Sequence, residues 1–228
     1  MTSASGLPSL IIFGPHTDFP VGESLEELRQ ELNSVPRLSA LSHAVSDLPR
    51  FWNSLVDFDT ELRQIPGVSY LGQLGEWLRD GGCLPHNQSD APNHYGLAVT
   101  ILLQISQYSC FLNHLGKDSH PRVLRSVESG GIQGFCSGFL NAIAIASSET
   151  EVDLGSAAAV ALRLAVCIGA YVDLDGIYSQ KPEKYSCVVI RWKKTSSDGK
   201  AEIASMIESF PNVRCYLPLT NFWNSTSD

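Results

Sequence analysis

The run Leu10, Ile11, Ile12, Phe13 is continuously apolar and is closed by Gly14 and Pro15, the pattern of a strand buried on both faces; a half-exposed strand would alternate. Over residues 22–35 the period lengthens. Leu25, Leu28 and Leu32 fall on one helical face, and Ser24 stands three residues before Glu27, the spacing of a capping box. Helical periodicity continues over 36–80, where Pro36, Pro49 and Pro66 are expected to interrupt it. Residues 80–94, rich in Gly, Pro and Asn, read as a connecting loop.

Two longer apolar stretches follow. Residues 95–116 are too long for a strand and end at Gly116, so they predict a central helix packed on most sides. Residues 153–176, rich in Ala, predict a second buried helix. Between them the pattern predicts a short strand over 122–133, a turn at Cys136 and a helix of small apolar residues over 137–148. Beyond residue 180 the order is strand (185–192), amphipathic helix (199–210) and strand (212–219), a β-α-β tail. The order of elements predicts an α/β protein with a parallel sheet, divided into a core over 1–180 and a small subdomain over 181–228.

Composition narrows the partners. A formal charge of −8, with no basic run longer than Lys193–Lys194, argues against a nucleic-acid surface. The start of the chain has no basic region ahead of its short apolar stretch, and Arg163 interrupts the longest one. Neither a signal peptide nor a membrane span is expected, and the location expected is cytoplasmic. The six cysteines include no C-x-x-C pair and no histidine at zinc spacing; reduced thiols and no metal site are expected.

Candidate chemistry centres on residues 133–138, Gln-Gly-Phe-Cys-Ser-Gly. A nucleophile on a strand-turn-helix elbow needs small neighbours, because the turn is tight and adjacent elements press on it. Gly134 and Gly138 supply them. A helix beginning at Ser137 would aim its first amides at Cys136, favouring the thiolate and offering the Ser137 N–H to a developing oxyanion. The alternative is a small apolar cysteine in an ordinary Gly-containing turn.

Four segments together resemble the starter-unit acyl-carrier-protein transacylase domain of fungal non-reducing polyketide synthases, itself similar to malonyl-CoA acyltransferases. They are residues 10–17 (LIIFGPHT), 95–112, 134–148 (GFCSGFLNAIAIASS) and 161–176. The resemblance implies an acyltransferase core of α/β-hydrolase type and a partial ferredoxin-like subdomain. It implies that Cys136 takes an acyl group from coenzyme A or a donor carrier protein as a thioester and passes it to the phosphopantetheine arm of an acyl carrier protein. Partners would be an acyl carrier protein or a polyketide synthase, with no resident cofactor.

The resemblance also marks departures. The family activates its nucleophile with a histidine far downstream, whereas His16, His43, His86, His94, His114 and His120 all precede Cys136, so the match is expected to cover only the front part of a complete domain. Where the family has a glutamine near the oxyanion hole this chain has His16, whose neutral imidazole N–H can donate in its place or face solvent. Ile168 stands where malonyl-specific relatives have a carboxylate-binding arginine, which favours an uncharged acyl group in that pocket, or Ile168 is core packing. Arg163 and Asp173 are expected to be structural ion-pair formers, and Gln104 and Gln107 share a face that could line the cleft. Two other readings stay open: a truncated, non-catalytic remnant or carrier-protein-binding module of the same family, and a cysteine hydrolase.

Overall fold

The computed structural model describes residues 7–14, 23–82, 84 and 91–178. In chain order these form strand β1 (Ile11–Phe13) and helices α1 (Glu23–Ser34), α2 (Ser39–Phe58), α3 (Gly67–Asp80), α4 (Asn93–Leu115) and α5 (Ser119–Ser126). Strand β2 (Ile132–Gly134) and helices α6 (Gly138–Ala146) and α7 (Glu151–Tyr178) follow. Single 3-10 turns at Pro36–Leu38 and Thr60–Gln64 join the early helices. The described part is mostly helical, with a parallel two-stranded sheet in which Ile11 pairs with Ile132 and Phe13 with Gly134. That is compatible with an α/β fold. The chain divides between Gln180 and Lys181 into two units, and every described residue belongs to the first; the β-α-β tail expected over 181–228 lies outside the described residues.

Two apolar helices set the core. Along α4, residues 98–103 are buried on every side, as expected of a helix whose apolar surface exceeds one stripe. Its end is the predicted one: Gly116 takes φ 86 and returns its N–H to the Leu112 and Asn113 carbonyls. Helix α7 packs chiefly on α4 and α2 through Leu154, Ala158, Ala161, Leu162, Ala165 and Val166; its alanines let the backbones approach. Both helices are long and apolar enough to cross a membrane, and 67% and 50% of those stretches is buried within the protein.

Three local expectations are corrected. Helix α2 does not break at Pro49: although the Val45 carbonyl loses its usual donor there, Leu41, Ala44, Val45, Leu48 and Trp52 are all buried along one continuous face. Helix α1 starts at Glu23, so Ser24 lies inside its first turn and is not the cap; Leu25, Leu28 and Leu32 do face the core. The strand expected over 122–133 begins instead as the end of helix α5 and continues as a turn over 127–130, and β2 has only three residues. Helix α5 is fixed by partners distant in sequence: Ser119 Oγ donates to the Leu112 carbonyl, and buried His120 joins Tyr108 to Ser148.

The N-terminus of α4 is capped from another helix. Asp173 on α7 accepts the backbone N–H of Asn93 at 2.8 Å and of His94 at 3.1 Å, together with Asn93 Nδ2 at 2.7 Å and His94 Nδ1 at 2.6 Å. Burial alone would raise the Asp173 carboxyl, but the hydrogen bonds from His94 and Asn93 outweigh it and hold it below its ordinary value. Asp173 therefore has a structural role, as the acceptor that joins α7 to the first turn of α4, and no salt bridge of Arg163 is found among the described residues.

Candidate active site

β2 brings the chain to residue 134 and α6 leaves at residue 138, so Cys136 sits in the turn between them. Its φ of 55° is left-handed, a conformation that costs an L-residue about 1–2 kcal/mol and persists only where the surroundings over-determine it. They do here. The Phe135 N–H donates to the Phe13 carbonyl at 2.8 Å, tying the turn to β1, while the Gly138 N–H reaches Phe135 O at 3.1 Å and the Phe139 N–H reaches Cys136 O at 3.0 Å.

The flanking glycines are there for space. A Cβ on Gly134 would lie 2.3 Å from Phe139 Cα and 2.5 Å from Gly138 O; one on Gly138 would lie 2.3 Å from Phe13 O. These are backbone atoms that cannot yield cheaply. The elbow is thus a point where β1, β2 and α6 converge with no room for a side chain on either side of the cysteine, and the thiol is directed outward.

Cys136 is exposed, whereas Cys110 and Cys167 are half-buried and burial pushes both of their thiols up, away from the reactive thiolate. Helix α6 starts two residues after Cys136, so the cysteine immediately precedes the positive end of its dipole. Among the described residues nothing accepts a hydrogen bond from the Ser137 amide.

The fold thus brings Gly134, Cys136, Ser137 and Gly138 together. Ile168 stands on a different helix, 48% exposed, not in the core; with Val160 and Leu164 it forms an outward apolar row on α7. His16 lies outside the described residues. Gln104 and Gln107 do line a cleft, a groove of about 460 Å³ between β1 and α4 that includes Leu10, Ile12, Gly14 and Tyr108. Cys136 is not among the residues lining it, nor those of a second groove of about 490 Å³ between α2 and α3, which His43, Glu76 and Arg79 help to line.

The described histidines are engaged elsewhere or distant. His94 pairs with Asp173, His114 with the Cys110 carbonyl, and His120 with Tyr108 and Ser148. Burial lowers the His120 ring below its ordinary value, against a raising contribution from the Ser148 carbonyl. Among the described residues no three His, Cys, Asp or Glu side chains converge as metal ligands.

One arrangement beside the elbow escapes a reading of periodicity. Gln104 on α4 donates through Nε2 to the Gly14 carbonyl at 2.9 Å and accepts through Oε1 from Asn141 Nδ2 at 2.6 Å. Asn141 is on α6, fully buried, and its Oδ1 has no partner among the described residues, a burial that costs about 1–3 kcal/mol. The one sequence signal was a lone asparagine inside the otherwise apolar segment Gly138–Ala146.

Comparison with known proteins identifies the family. Residues 59–214 match the family model described as starter unit:ACP transacylase in aflatoxin biosynthesis. The chain is 35% identical over 223 residues to the non-reducing polyketide synthase spyA of Aspergillus fumigatus, covering 96% of this chain and 12% of that protein. It is 38% identical over 208 residues to the non-reducing polyketide synthase esdpA of Penicillium shearii, covering 91% and 9% respectively. With the 5-methylorsellinic acid synthase of Aspergillus terreus it shares 36% identity over 197 residues, 86% of this chain and 7% of the other. The chain therefore spans about a tenth of the length of these relatives.

Proposed function

This chain belongs to the starter unit:ACP transacylase family, and from that premise we propose that Cys136 carries a starter acyl group between two thioesters. In the first half, the Cys136 thiolate attacks the carbonyl carbon of an acyl thioester on coenzyme A or a donor carrier protein. A C–S bond forms, the carbonyl oxygen takes the negative charge, and the bond to the donor sulfur breaks; the donor thiolate leaves and takes a proton. In the second half, the phosphopantetheine thiolate of an acyl carrier protein attacks the Cys136 thioester and regenerates the free cysteine. Each half exchanges one thioester for another and is nearly balanced in free energy, so the protein has to supply a ready thiolate and a stabilised oxyanion.

The observation that carries this reading is the elbow: a left-handed cysteine between two glycines that cannot accept a Cβ, at the start of a helix. The Ser137 amide is assigned one oxyanion contact, with His16 or its neighbouring backbone as the other. Ile168 stands where the resemblance sets the carboxylate-binding arginine of malonyl-specific relatives, and its apolar side chain favours an uncharged acyl chain over one ending in a carboxylate. The substrate is the acyl thioester itself, and no resident cofactor takes part.

The test is intact mass after incubation with short acyl-CoA thioesters. The unaltered chain is expected to gain one acyl group, and Cys136→Ala, which keeps the Cβ and the turn conformation, to gain none. A second reading is favoured by the engagement of His94, His114 and His120 with other groups: a module that binds the carrier protein without turnover. It predicts no adduct across a panel of chain lengths together with retained binding to the carrier protein.

A further inference from the structure

We infer that Gln104 is a positioning residue for the transfer reaction, holding the end of β1 at a fixed distance from the elbow through a relay that Asn141 completes; the inference rests on Cys136 being the nucleophile. Two successive carbonyls leave β1, and each is held by a different element. The Phe13 carbonyl accepts from Phe135 in the elbow itself, and the Gly14 carbonyl accepts from Gln104 on α4. Both carbonyls lie against the first turn of α6, since a Cβ on Gly138 would sit 2.3 Å from Phe13 O and 2.8 Å from Gly14 O.

Asn141 closes the ring. It is on α6, five residues beyond Cys136, and its amide group donates to Gln104. The path Cys136, α6, Asn141, Gln104, Gly14, Phe13, Phe135 thus returns to the elbow. The Gly14 peptide is thereby held from one side by Gln104.

The relay works in one direction only. A carbonyl can only accept, so Gln104 must turn Nε2 toward Gly14; its Oε1 then faces Asn141, which must present Nδ2. That orientation leaves Asn141 Oδ1 buried without a partner. An apolar side chain at 141 would avoid that loss, so what the buried amide supplies is the orientation of Gln104. Glutamate at 104 has nearly the same shape and no donor, and it would set a carboxylate oxygen against the Gly14 carbonyl.

The experiment compares Gln104→Glu and Gln104→Met with the unaltered 228-residue chain in two reactions of Cys136: single-turnover acylation by a short acyl-CoA, followed by mass, and alkylation by iodoacetamide. Alkylation develops no oxyanion, so it reads the exposure and ionisation of the thiol and not the stabilisation of an acyl-transfer transition state. We expect acylation to fall roughly 10²-fold in both variants, the scale of a misplacement of about 1 Å at a reacting centre, at unchanged half-saturation and with alkylation within about twofold. Acylation at the parent rate in either variant overturns the inference, as does a parallel loss of acylation and alkylation, which would mean collapse of the elbow. An unaltered chain that alkylates but accepts no acyl group overturns the reading of Cys136, and this inference with it.

Discussion

At Cys136 the backbone angle and the neighbouring packing make one argument. An L-residue at φ 55° is held there by three backbone hydrogen bonds and by contacts tight enough to demand glycine at two nearby positions. Gly138→Ala is expected to destabilise the protein by about 2–3 kcal/mol, because the added methyl meets the Phe13 carbonyl at 2.3 Å and either α6 or β1 must give way. Urea denaturation reads that loss, and iodoacetamide labelling of Cys136 is expected to slow in the same variant. The pattern Gly-x-Cys-x-Gly displayed these residues in the sequence because the elbow is local: five consecutive positions define it. Asn141 and Gln104 were not legible in the same way. Their contact joins residues 37 apart, and no local rule says which buried amide a glutamine on another helix will meet.

Among elements, those with the longest apolar signal were read most closely. Helices α4 and α7 follow directly from residues 95–116 and 153–176. Helix α5 did not, because Ser119, His120, Arg122 and Arg125 make it polar by composition and its burial depends on partners from α4 and the Ser147–Ser148 turn. Pro49 misled for the opposite reason: a local breaker lost to a continuous buried face. The cap on α4 is likewise non-local. Asp173→Ala removes the acceptor for two backbone amides and the His94 ring at once, and is expected to cost roughly 3 kcal/mol, the scale of removing one partner from a buried charged network. The urea midpoint is the measurement, and Asp173→Asn, which keeps one acceptor, should fall between the two.

For the whole molecule, the buried titratable groups predict how stability follows pH. His120 is held below its ordinary 6.5 in the folded state, so below that pH the unfolded chain binds the extra proton and the folded chain resists it. Stability is therefore full above about pH 7 and falls as pH drops through 6.5, by at most about 1.4 kcal/mol per pH unit for one proton. Asp173 is held below its ordinary 3.8; its contribution is intact above that value and is lost as pH falls below it. Thermal melts between pH 8 and 3 are expected to show both declines, and His120→Gln is expected to flatten the upper one alone. The outward apolar side chains of the elbow and α6 (Phe135, then Phe139 and Ile143) and of α7 (Val160, Leu164, Ile168) were not legible in advance, because periodicity reports that a side is apolar without saying which sides find a neighbour.

The pairing of β1 with β2 has a kinetic consequence. Ile11 and Ile132 are more than a hundred residues apart along the chain, and closing so large a loop for a sheet of two three-residue strands yields few contacts in return for the entropy lost. The contacts between α2 and α3 are close in sequence and can form early. The strained turn at Cys136 needs β1, β2 and α6 in place together, so a thiol constrained in this way belongs among the last features to appear as the chain folds. The rate at which the protein becomes chemically competent would then be set by the search that brings its two distant strands into register.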